Sequence, residues 1–318
     1  MRIGNCGPSG VIVMMTTLIA LLLGCSKKAA PDQEPKSQHA GPFVIYTVNY
    51  PLSYFAQRMA PVGARVVFPV PPGIDPAFWK PTADAVQGFQ SSSLILLNGA
   101  GYARWTRYTT LPRTRIVVTA DGCRDGYLHT EQSVRHQHGP EGEHAHSDLA
   151  FTTWLDLRLA ACQASHVRDA LLERWPEAKD AVSTGFETLE QVLLDLDGRL
   201  RTVGKVLDGR PILASHPVYR YLADAYGLSV QSLHLEPDQA LSDDDWKELE
   251  AMLTQQDAEW MLWEAPPLKR TKLGLDKRGI AVIVFDPAGQ APSDGDFLTV
   301  MQANVGRLEC AVGVRACP

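Results

Sequence analysis

The strongest constraint on this chain is an uninterrupted helical stretch near its middle. Residues 178–206 contain no proline, and Phe186, Leu189, Leu193, Leu196, Leu200 and Val203 recur three or four positions apart. That period makes one apolar stripe along an α-helix. At about 1.5 Å per residue, such a helix spans about 40 Å. This is long for a helix inside one lobe and predicts a rigid linker between two folding units. Residues 154–175 carry helical spacing as well, broken at Pro176.

On either side of the linker, short apolar runs alternate with amphipathic segments. Before it, residues 43–48, 65–68, 94–97 and 116–119 have strand length and β-branched content, with helical spacing in 51–60 and 82–90. After it, residues 211–214, 228–233, 260–263 and 280–285 are predicted strands, and 216–226, 242–253 and 296–308 predicted helices. Repeated strand–helix alternation predicts an α/β fold of two lobes, each a mostly parallel sheet flanked by helices. The expected division is an N-terminal lobe over 42–177, the linker helix over 178–206 and a C-terminal lobe over 207–318. A cleft is expected between the lobes.

The first 41 residues do not read as part of that fold. The apolar run 11–23 is shorter than the roughly 20 residues a membrane-spanning helix needs. It ends in Leu22-Leu23-Gly24-Cys25, which resembles the lipobox of bacterial lipoprotein signal peptides. The resemblance implies a signal peptide over 1–24, cleavage before Cys25 and a lipid on its thiol. Residues 25–41 are polar, contain Pro and Ala and read as a flexible stalk. The mature body is therefore expected to be lipid-anchored in the periplasm or at the cell surface, with inner and outer membrane both open. Such a compartment permits disulfides among Cys123, Cys162, Cys310 and Cys317. Their pairing is left open, although Cys310 and Cys317 stand close enough in sequence to close a small loop.

Charge excludes one class of partner. With 36 acidic against 30 basic side chains and a net charge of -6, the chain lacks the clustered basic surface that nucleic acid requires. No GxSxG, HExxH or Cys/His nucleophile signature is present, so no enzyme is expected. Asn98-Gly-Ala-Gly101 lacks both the GxGxxG spacing and a Walker lysine, which leaves nucleotide binding weakly supported.

Two sets of residues suit metal. Residues 136–146 hold four histidines, His136, His138, His144 and His146, and two glutamates. Neutral imidazole is a good zinc ligand. The segment 129–147 is therefore expected to be a polar loop that captures metal weakly at several points. His216 and Asp286 each follow a predicted C-lobe strand. In open α/β sheets the carboxyl ends of strands face the ligand crevice, which aims both side chains at the cleft. A helix cap is the plainer role for either of them.

Several blocks together resemble the substrate-binding proteins of zinc- and manganese-type ABC transporters, often called cluster A-I. Residues 70–76 (VPPGIDP) with 81–84 (PTAD) resemble that family's pGxDPHxxxPTxxD block. Residues 94–105 (LILLNGAGYARW) resemble its LVxxNGxGLExW block, and 153–156 (TWLD) the end of its DPHxWLD block. His216, Tyr219, Tyr221 and residues 225–228 (AYGL) resemble its HxAFxYfaxxYGL block, and 285–287 (FDP) the block carrying its acidic ligand. The family holds its metal with three histidines and one acidic residue, one from each block. Here Ala77 and Thr152 stand where two histidines are expected, and only His216 and Asp286 match by position. The resemblance implies captured zinc as cargo, with manganese as the alternative, an ABC permease as partner, no organic cofactor and a monomer. The competing reading is a divergent binding or interaction lipoprotein on the same fold, whose cleft takes a non-metal ligand or a protein partner.

The anchor makes a direct prediction. Cys25→Ser should release the body from the membrane fraction or leave an uncut precursor. A mutant that fractionates and migrates like wild type would contradict it.

Overall fold

A computed structural model describes residues 43–130, 135–137, 143–145 and 149–317. The signal peptide, Cys25, the stalk, His138 and His146 lie outside these residues.

The first sheet contains β1 (Val44–Thr47), β2 (Arg65–Val67), β3 (Leu94–Leu97) and β4 (Ile116–Val118), in the order β2-β1-β3-β4 with every pair parallel. Crossover helices α1 (Tyr50–Met59) and α2 (Ala83–Ser91) start where the sequence supplies caps. The Asn49 side chain accepts from the Leu52 N–H, and Thr82 accepts from the Ala85 N–H. The loop expected over 129–147 contains a short antiparallel hairpin, β5 (Arg135–Gln137) with β6 (Glu143–Ala145), which pairs His136 with His144. These polar triplets show no apolar alternation, so nothing in their composition announces strands.

Helices α3 (Leu157–Arg174) and α4 (Lys179–Leu207) follow, and α4 is the predicted linker displaced by one residue. Asp208, in a left-handed conformation, ends it. The second sheet contains β7 (Pro211–Ala214), β8 (Ser229–Ser232), β9 (Trp260–Trp263) and β10 (Ala281–Val284), again all parallel, in the order β10-β9-β7-β8. Its helices are α5 (Arg220–Tyr226), α6 (Asp243–Gln255), α7 (Lys269–Asp276) and α8 (Phe297–Ala311). The helix expected from residue 216 begins only at Arg220, because the chain turns through Pro217 first.

The central helix is not a bare strut. It packs on α1, α3, α5 and α8, and its stripe of Leu189, Leu193, Leu196, Leu200 and Val203 is fully buried. One continuous apolar core joins Ile45 and Leu96 of the first sheet, this stripe, and Ile212 and Phe285 of the second. Polar groups tie the same helices. Asp197, buried on α4, accepts from Arg158 Nε of α3 at 3.1 Å and from Arg201 Nε at 2.9 Å. Disulfides join Cys123 to Cys162 and Cys310 to Cys317. The first fastens the loop after β4 to α3.

Close packing of α4 depends on two glycines. A Cβ at Gly185 would lie 2.4 Å from the Arg58 carbonyl oxygen, and one at Gly204 would lie 2.0 Å from that of Tyr226. Gly198 of the same helix has no neighbour within 4 Å of its Cβ position. Gly198→Ala should therefore stabilise the protein by about 0.5–1 kcal/mol through helix propensity. Gly204→Ala should destabilise it by about 1–3 kcal/mol or more, because backbone rather than a flexible side chain blocks the space. Urea denaturation of both variants checks the pair; equal effects would contradict this packing.

Candidate functional site

A cleft of about 1140 Å³ lies between the two sheets, at the carboxyl ends of their strands. Its two walls differ in chemistry. The N-lobe wall is largely aromatic: Phe78 and Tyr102 both meet Phe151 edge-on, at 6.2 and 5.3 Å between ring centres, and Tyr102 meets Trp154 at 5.6 Å. The C-lobe wall carries His216, His234, Glu236, Glu264 and Asp286.

Each of these follows a strand of the second sheet. His216 comes after β7, His234 and Glu236 after β8, Glu264 after β9 and Asp286 after β10. Backbone pairing continues past the strand ends: Leu233 N–H donates to Ala214 O and Leu235 N–H to Ser215 O, both at 2.8 Å. His234 is thereby held beside the 215–216 segment. The strand order reverses between β7 and β9, and ligand crevices of open α/β sheets open at such a reversal. His216 and Glu264 stand at that point. His216 Nδ1 lies 3.2 Å from Glu264 Oε1, and its Nε2 lies 3.5 Å from Glu236 Oε1. The His234 ring is perpendicular to that of His216, with centres 5.9 Å apart.

At the corresponding reversal of the first sheet, between β1 and β3, the residues are Asn49 and Asn98. These are buried and bonded to each other, Asn49 Nδ2 to Asn98 Oδ1 at 3.2 Å. Asn98 Oδ1 also accepts from Gln163 Nε2 and Thr153 Oγ1, and its Nδ2 donates to Phe151 O. The Asn-Gly-Ala-Gly turn is thus a structural corner, with Gly99, Ala100 and Gly101 all at positive φ.

The two residues at expected histidine positions have other work. Ala77 is buried, and its N–H donates to Asp75 Oδ1 at 2.9 Å. Thr152 Oγ1 donates to the Val218 carbonyl, two residues past His216. Trp154 Nε1 donates to Pro287 O at 2.6 Å, beside Asp286, and Gln290 Nε2 donates to Pro71 O and Ile74 O. Of the two positions where N-lobe ligands were expected, Thr152 bonds across to the other lobe, and Trp154 and Gln290 beside the cleft add to that latch.

Asp286 lines the cleft, with its Oδ1 accepting from the Ala288 N–H at 2.7 Å. Burial raises its pKa. On either side of the histidine segment in sequence, Thr130 and Leu149 line the cleft, and His129 bridges to Leu149. Sequence reasoning missed His234, Glu236 and Glu264. The strand-end rule that found His216 and Asp286 applies equally to all three.

The sequence matches the family described as "Zinc-uptake complex component A periplasmic" over residues 45–311. The chain belongs to that family. Among its relatives is the zinc-binding lipoprotein AdcA of Streptococcus pneumoniae R6, 23% identical over 312 residues, covering 94% of this chain and 60% of that protein. The chain therefore spans only about three fifths of AdcA's length. The high-affinity zinc uptake system protein ZnuA of Bacillus subtilis is 23% identical over 72% of this chain and 71% of its own. Zn(II)-bound AdcA from Streptococcus pneumoniae superposes with a TM-score of 0.71 at 21% identity, covering 87% of this chain and 59% of that one. A ZnuA crystal structure superposes with a TM-score of 0.65 at 18% identity, covering 85% and 98%. The family's two-lobe fold, with a parallel four-stranded sheet in each lobe, is the one expected from the alternation of strands and helices. The family's description is that of a component of an uptake complex.

Negative charge concentrates in the cleft. Burial, followed by the carboxylates of Asp75, Glu236 and Asp286, pushes Glu264 up to about 8. Its side chain keeps 31% of its area, but that area borders the cleft. Folding therefore favours protonated Glu264, and its contribution to stability declines as pH rises from about 4.5 towards 8. In chelator, Glu264→Gln should match wild type near pH 4.5 and melt progressively higher than it as pH approaches 8. The gap should be about 2–4 °C for each kcal/mol involved. A difference that does not change with pH would contradict this.

Proposed function

We propose that the protein is an extracytoplasmic solute-binding protein that captures a divalent transition metal and delivers it to an ABC permease. Zinc is the first choice of cargo and manganese the second. A lipid on Cys25 tethers the body, in keeping with relatives named as lipoproteins and with no helix of the described residues being long and apolar enough to cross a membrane. The observation that carries the reading is His216, set at the strand-order reversal of the second sheet with carboxylates facing both its ring nitrogens. Imidazole with carboxylates is a donor set that suits zinc and manganese alike. His136, His138, His144 and His146 serve as a collecting segment, a role supported by Thr130 and Leu149, which flank that segment in sequence and line the cleft.

Elemental analysis of protein purified without chelator, followed by zinc titration, tests this reading. About one tightly held metal per chain is expected. His216→Ala should weaken that site about 100-fold or more, equivalent to about 2.7 kcal/mol. Protein that takes up no metal under either condition would contradict the function.

A further inference from the structure

The geometry points to a metal site built on the C-lobe alone, with His216 Nε2, Glu236 and His234 as donors and Glu264 as the residue that orients His216. The inference rests on the metal-capture reading above and assigns its donors.

The distances distinguish the roles of the two glutamates. Donors about 2.0–2.2 Å from a tetrahedral zinc stand about 3.3–3.6 Å apart. His216 Nε2 and Glu236 Oε1, 3.5 Å apart, already have that separation. One metal takes one imidazole nitrogen, so Glu264, at 3.2 Å from Nδ1 on the other side of the ring, faces the nitrogen that the metal leaves protonated. A carboxylate accepting the second N–H of a ligating histidine fixes its tautomer and ring direction. His234 comes from the neighbouring strand, its ring centre 5.9 Å from that of His216; its nitrogens do not yet converge with the other two donors, so the assignment requires the His234 side chain to turn when metal binds. Three protein donors leave a fourth position for water.

The rest of the cleft favours this placement over one shared between the lobes. The opposing wall presents Phe78 and Tyr102 with one carboxylate, Asp75, whose Oδ1 accepts from the Ala77 N–H, and Thr152 is bonded to the Val218 carbonyl. Asp286 Oδ1 accepts from the Ala288 N–H, which holds its turn and leaves Oδ2 as its one oxygen without that bond. The site would then fill without any ligand arriving from the N-lobe.

Zinc competition titrations against a chromophoric chelator, on the full chain, test the assignment. The variants are Glu236→Gln, His234→Ala, Glu264→Gln, Asp286→Asn and a quadruple His→Ala variant at 136, 138, 144 and 146. Glu236→Gln and His234→Ala should each weaken the tightest site about 10- to 100-fold or more, and Glu264→Gln about 10- to 100-fold. Asp286→Asn and the quadruple variant should stay within about threefold of wild type. Metal-free melting temperatures show which variants remain folded, and the near-isosteric Glu236→Gln keeps the test valid if His234→Ala unfolds. For Glu264, 15N NMR of the zinc-loaded protein should show His216 protonated at Nδ1 in wild type, with a mixed or altered signature in Glu264→Gln. A wild type that binds no zinc would overturn the metal-capture reading itself. Tight wild-type binding, unchanged in both Glu236→Gln and His234→Ala, would overturn only this donor set.

Discussion

The cleft depends on one buried carboxamide. Asn98, 1% exposed, accepts through Oδ1 from Asn49, Thr153 and Gln163 and donates through Nδ2 to Phe151 O. It thereby binds the end of β3 to α1, to α3 and to the 151–153 segment. That segment carries Thr152 and is followed at once by Trp154, whose side chains reach Val218 O and Pro287 O across the cleft. Buried polar groups are costly when unsatisfied and rigid when fully satisfied. A satisfied network here fixes the position of one lobe against the other.

The two sheets repeat one topology and use its reversal point in opposite ways. In the N-lobe the reversal is sealed by an asparagine pair and covered by aromatic rings. In the C-lobe it holds an imidazole between two glutamates, and burial, reinforced by neighbouring carboxylates, pushes Glu264 up to about 8. A largely aromatic wall facing one rich in imidazole and carboxylate groups suits a small cation held mainly from one side. At one of the two N-lobe positions where the resemblance implied a histidine, Thr152 instead donates to the Val218 carbonyl across the lobes.

Much of this was legible in the residues. The strands announced themselves through β-branched runs, and the 29-residue α4 through its leucine stripe. What the stripe could not show was its partners: α4 lies buried among four helices of both lobes, so a predicted strut is a shared core. Helix α7 escaped notice because Lys269–Asp276 is short and mostly polar after two prolines. The β5–β6 hairpin escaped because its triplets are polar. Ala77 and Thr152 could be recognised as departures from the family pattern, but the latch made by Thr152 follows from tertiary geometry. Likewise His234 and Glu236 sit in an extension of β8 that backbone pairing, not composition, aligns with His216.

Zinc-edge anomalous diffraction from crystals of the zinc-loaded full chain tests the central claim most directly. The account predicts one strong peak within about 2.0–2.2 Å of His216 Nε2 and of a Glu236 oxygen, with His234 turned towards it and Glu264 on the far side of the ring. A peak coordinated by residues of both lobes, or one lying only among the histidines of residues 136–146, would contradict it.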